Sequence, residues 1–174
     1  MPNAPHRPLV AGVAAFLAFQ TIASLAAQTP PVIATEIAAD VQGVSAAQAG
    51  LFTGIVFAFS ILASLATGGL IRRFGALRAS QIALCLSATA YAMLALGAPA
   101  ALLCAAVMLG LSYGPITPAG SHALAMVAPE RSRAAIFSAK QAGVPLGVAL
   151  AGLIAPLSAS SGGGSPIGSG DRGW

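Results

Sequence analysis

The chain has 174 residues, of which 57% are hydrophobic and only 7% are Asp, Glu, Lys or Arg, against roughly 25% charged in an ordinary soluble domain. Eight basic and four acidic side chains cannot coat a water-soluble globule of this size, which excludes a soluble enzyme, a nucleic-acid binder and a disordered chain. The formal charge of +4 does not speak for nucleic acid, because the basic residues form short clusters between apolar runs.

A hydrocarbon core about 30 Å thick needs roughly 20 apolar residues per helical crossing. No charge occurs from Pro8 to Thr35, from Val41 to Ile71, or from Ala79 to Pro129. The first region predicts a helix over 9–28 after a short N-terminus, 1–8, continuing irregularly past Pro30 and Pro31. The second predicts a helix over 45–71. The third is too long for one crossing and divides at Gly97-Ala98-Pro99, where Gly and Pro punctuate a turn, into 79–96 and 99–127. A fifth helix covers 134–157. The expected fold is therefore all-α and polytopic, with five spans and the lipid bilayer as its surroundings.

Arg7 precedes the first span, Arg72, Arg73 and Arg78 lie between the second and third, and Arg131 and Arg133 lie between the fourth and fifth. The intervening connections carry Glu36 and Asp40 or no charge at all. Positive charge on alternate connections predicts a cytoplasmic N-terminus. Arg7, the apolar run Leu9–Leu25 and the small residues after it also have the order of a secretory signal peptide; the charge pattern is the same either way. Cys85 and Cys104, each inside an apolar run, read as small buried apolar residues. After Leu157 the composition turns Gly/Ser-rich, so 158–174 reads as a flexible tail, either natural or the product of an abnormal end to the reading frame.

No carrier of enzyme chemistry is visible. The acidic residues Glu36, Asp40, Glu130 and Asp171 lie at span ends or outside them, so no intramembrane carboxylate pair can relay protons. No His/Cys cluster has metal-ligand spacing, and the Gly-rich tail follows no strand and contains no Gly-Lys-Ser/Thr. No cofactor or metal is expected.

The strongest local feature is Gly68-Gly69-Leu70-Ile71-Arg72-Arg73-Phe74-Gly75-Ala76-Leu77-Arg78. Gly68 and Gly69 would let a helix end approach a neighbour, Gly75 permits a tight turn, and the arginines suit an interface with helix C-termini or lipid heads. Any polytopic protein can use such a basic loop. In register, however, Gly68, Arg73, Gly75 and Arg78 resemble the signature Gly-x-x-x-Asp-Arg/Lys-x-Gly-x-x-Arg/Lys between helices two and three of the major facilitator superfamily. Pro31-Val32-Ile33, Ser45-Ala46-Ala47-Gln48-Ala49-Gly50 and Lys140-Gln141-Ala142-Gly143-Val144-Pro145-Leu146-Gly147 extend the resemblance over residues 9–157. It implies about the first five of twelve family helices, a truncated first bundle, a retained first helix, and alternating-access transport of a small solute by a chain not competent alone. It also implies an inner (plasma) membrane location in a bacterium, with a missing C-terminal half or further copies of the chain as partners. A non-transporting fragment and a small oligomeric membrane scaffold are the readings of another class. Three departures from the family pattern stand out: Arg72 replaces the motif's acidic residue, Ala106 stands where drug/proton antiporters carry arginine, and Val144 separates Gly143 from Pro145. They speak against the antiporter branch.

The remaining candidates lie in the last two spans and the first. Gly110 to Gly114 and Gly143 to Gly147 are Gly-x-x-x-Gly spacings, expected to serve helix packing together with Pro145. Lys140, Gln141, Tyr113 and Gln20 are the candidate solute-binding residues, with Thr21 and Ser121 able to hydrogen-bond a solute or a helix. Lys140 lies roughly 10 Å into its helix and either snorkels to the surface or presents a cation to a central cavity. His122 is expected near the cytoplasmic end of its span in a structural hydrogen bond or a proton-coupling role.

Overall fold

A computed structural model of the protein describes residues 6–40, 46–96 and 98–162. The tail over 163–174 and the connection over 41–45 lie outside the described residues. The elements are α1 (His6–Asp40), α2 (Ala46–Phe74), α3 (Ala76–Leu94), α4 (Pro99–Val127), a short 3-10 turn (Glu130–Ser132), α5 (Arg133–Gln141) and α6 (Gly143–Gly162). Among the described residues there is no strand. The first residues of the Gly/Ser-rich segment, expected to be flexible, continue α6 to Gly162.

Among the described residues four segments are long and apolar enough to cross a membrane: Leu9–Pro30, Gly50–Phe74, Ala100–Val127 and Glu130–Ile154. The fifth expected span, α3, has 19 residues but falls short in hydropathy because Arg78, Ser80, Gln81, Ser87 and Thr89 interrupt it. It is nonetheless laid along α4. The Ser87 hydroxyl donates to Ser112 Oγ at 2.8 Å, and Ala90 shares a buried cluster with Ala105 and Leu109. Leu109, Ile116 and Leu124 are buried, but many of the large apolar side chains point outward: Leu65 is 79% exposed and Met126 77%. A helix apolar on every side belongs in lipid, and this bundle turns its small and polar residues inward instead.

Two further features depart from the sequence reading. The last span is broken at Ala142 into α5 and α6. Pro145 has no N–H to offer the Gln141 carbonyl four residues earlier, so the helical ladder lapses there. Cys85 and Cys104 are exposed rather than buried; a thiol is apolar enough to face hydrocarbon from the outer sides of α3 and α4.

The loop joining α2 to α3 is reduced to Gly75, with φ 79° and ψ 158°. That region of backbone space is essentially closed to residues with a Cβ, so the glycine makes the one-residue reversal feasible. Arg72 and Arg73 thereby belong to the last turn of α2, where cations favour the negative end of the helix dipole, and Arg78 to the first turns of α3.

Prolines inside α1 and α4 release backbone carbonyls that hydrocarbon cannot solvate. Pro30 frees Ala26, whose oxygen accepts the Tyr91 hydroxyl from α3 at 2.8 Å. Pro118 frees Gly114, whose oxygen accepts the Ser64 hydroxyl from α2 at 2.8 Å. At these two prolines the lost helical bond is replaced by a bond to another helix, so both kinking residues also tie the bundle together.

Candidate functional site

The helices are brought close by two glycine pairs. A Cβ on Gly110 would strike the Val56 carbonyl and, at 2.7 Å, Phe59 Cβ; one on Gly114 would strike the Ser60 carbonyl and, at 2.9 Å, Ala63 Cβ. On the other side, a Cβ on Gly143 would lie 2.8 Å from Leu17 O and one on Gly147 2.5 Å from Thr21 O. In both interfaces the numbers rise together, so α4 runs parallel to α2 and α6 runs parallel to α1. Across the middle α1 opposes α4, since Gly12 lies beside Leu124, Phe16 beside Gly120 and Gln20 beside Thr117. The N-terminal part of α1, the C-terminal end of α2 and the α4–α5 connection consequently share one end of the bundle. Arg72, Arg73, Arg78, Arg131 and Arg133 all lie at that end. Pro145, expected to share in this packing, is exposed.

Gly68 and Gly69 do not support the close approach expected of them, because a Cβ on either meets nothing within 4 Å. Gly69 instead helps line a groove of about 490 Å³ between α2 and α4, with Ala66, Thr67, Leu70 and Pro115 along it and Arg73 near one end. The Arg73 guanidinium lies over the Phe74 ring, 5.2 Å from its centre.

The polar residues that could serve a solute converge elsewhere, between α1, α4 and α5. Lys140 is 1% exposed, so it neither snorkels nor stands free. Its Nζ donates to Thr117 O at 2.9 Å and to Ser121 Oγ at 2.9 Å. The lysine stem passes Gly120, where an added Cβ would come 3.2 Å from Lys140 Cδ and 3.0 Å from the Phe16 ring. Gln20 is fully buried; its Oε1 accepts the Thr117 hydroxyl at 3.0 Å, while its Nε2 has no partner among the described residues. One turn on, the Ser24 hydroxyl donates to Val144 O at 3.0 Å, with half-buried Tyr113 alongside. Among the described side chains the only carboxylate is Glu130, exposed at the basic end.

Of the candidates named from the sequence, Lys140, Gln20 and Ser121 are thus drawn into one cluster with Tyr113 at its edge. Gln141 is exposed and points away, as the residue after Lys140 on a helix must. Thr21 closes a bond onto Leu17 O of its own helix at 2.9 Å, and His122 is exposed. The reading missed Thr117, the residue that joins Gln20 to Lys140. A signal for it existed: Tyr113, Thr117 and Ser121 recur every four residues, a polar stripe down one face of an otherwise apolar helix.

The sequence that folds into this bundle is matched by a family model. The model, Major Facilitator Superfamily, covers residues 9–169. The chain belongs to the Major Facilitator Superfamily. Comparison with curated proteins and with solved structures gives no match. Members of this superfamily are membrane-embedded transporters rather than enzymes, so solute transport is the general function that goes with the fold.

Proposed function

We propose that the chain takes part in secondary transport of a small solute by alternating access, and that the solute is bound at the cluster of Lys140, Gln20, Thr117 and Tyr113. The observation that carries this reading is the fully buried Gln20 with an unpartnered amide nitrogen beside a buried lysine. Buried polar groups are normally satisfied, and charges within a membrane protein mark substrate paths more often than scaffolding. Alternating access requires a second bundle to rock against this one, supplied by further polypeptide or a second copy. The arginine-rich end lies in the cytoplasm and the N-terminus with it, following the excess of Lys and Arg on cytoplasmic connections; a plasma membrane location accords with that.

The test is a screen of sugars, amino acids, carboxylates and inorganic anions for stabilisation of the detergent-solubilised chain. A ligand at a hundred times its Kd adds about 2.7 kcal/mol to stability, which a thermal melt detects. The expected result is a saturable shift from at least one solute class, lost in Lys140→Ala. A chain that no class shifts, or whose shifts survive that substitution, contradicts the assignment.

A further inference from the structure

Among the described residues Lys140 carries the only charge in the cluster, and no described carboxylate neutralises it. A lysine near the middle of a membrane helix costs about 2.5–3.5 kcal/mol on insertion scales, and this one cannot reach the surface to reduce the cost. Its ammonium has three N–H donors; two are used by Thr117 O and Ser121 Oγ, leaving one. Gln20 adds two further N–H donors on the unpartnered Nε2. Both side chains are held by the same residue, Thr117, through its carbonyl on one side and its hydroxyl on the other.

The cluster is therefore rich in spare donors and short of acceptors, with one uncompensated positive charge. We propose that it binds a small monovalent oxyanion, with one oxygen taking the Lys140 N–H and another the Gln20 amide. The inference rests on the solute-binding reading above and specifies its chemical class. A single charge follows from the single ammonium. Small size follows from burial, because Gln20 is 0% and Lys140 1% exposed and little room is open around their donors. A lipid phosphate does not meet these conditions, because Lys140 is 1% exposed and lies inside the bundle.

Acetate and its neutral isostere acetamide test the class, presented to the chain in lipid nanodiscs and read by saturation-transfer NMR. Acetate is expected to bind saturably and to be displaced by nitrate. Acetamide is expected to bind about tenfold more weakly or worse, since charge-assisted hydrogen bonds are roughly twice as strong as neutral ones. Lys140→Gln abolishes acetate binding, Lys140→Arg retains part of it, and Gln20→Leu weakens it several-fold. Equal binding of acetate and acetamide, no acetate binding to the unaltered chain, or acetate binding that survives Lys140→Gln overturns the inference. Should any variant fail to fold, the ratio of the two probes on the unaltered chain decides. A neutral solute whose stabilising shift is lost with Lys140→Ala, in a chain that ignores acetate, removes the anion class and leaves the transport reading standing. Loss of every response removes both.

Discussion

Gly114→Leu is expected to lower the stability of the bundle by about 2–3 kcal/mol, the upper range for overpacking a closed interface. The side chain would meet the Ser60 carbonyl and Ala63 Cβ of α2; the first is helix backbone and the second is fixed rigidly to it, so neither yields without moving the whole of α2. The same shift would pull the Ser64 hydroxyl from the Gly114 carbonyl that Pro118 leaves free. Gly152→Leu is the matched control, because a Cβ there meets nothing within 4 Å; it should change stability by no more than about 0.5 kcal/mol. Unfolding in mixed micelles, followed by circular dichroism, reads both. Equal effects at the two positions would show that close approach at Gly114 does not hold α2 to α4.

Lys140→Met is expected to act in the opposite direction, stabilising the bundle by about 1–3 kcal/mol. Methionine keeps the length of the lysine stem against Gly120 and Phe16 while removing an uncompensated charge from an apolar interior. Its loss strands no acceptor, since the Thr117 carbonyl is a helix carbonyl and the Ser121 hydroxyl can turn to its own backbone. The same substitution should eliminate the response to solute. A more stable chain that no longer binds is the signature of a residue kept for function at a cost in stability. Destabilisation by Lys140→Met would instead mark the two hydrogen bonds of the ammonium as a structural tie between α5 and α4. The two outcomes differ in sign, so the unfolding measurement separates them without any transported solute being known.

The spans were legible because burial in lipid leaves a coarse mark on sequence: long uncharged runs bounded by Arg72, Arg73, Arg78, Arg131 and Arg133. Gly110, Gly114, Gly143 and Gly147 were legible as spacings, but the helices they face were not, since one sequence does not say that α4 runs beside α2 or α6 beside α1. The Gly75 reversal could be read, whereas open space at Gly68 could not, because a glycine's neighbours come from other elements. The Pro145 effect was visible as a proline inside a span and not as a break, since some helices absorb a proline with only a kink. Lys140 posed the hardest case. Sequence gave its depth and left two destinations, the surface or a cavity; the packed answer, an ammonium held by Thr117 and Ser121, depends on contacts 19 and 23 residues away in the chain. Cys85 and Cys104 misled because apolar runs are buried in water-soluble proteins, while in lipid the outward face is apolar too.

The central claim is that these helices cross a bilayer with their arginine clusters gathered on one side. Single cysteines at Arg73→Cys and Arg131→Cys, in a background carrying Cys85→Ala and Cys104→Ala, test it in sealed inside-out and right-side-out vesicles with a membrane-impermeant maleimide. Both positions should label from the cytoplasmic face alone. Labelling of the two from opposite faces, or of either from both faces equally, would contradict the account.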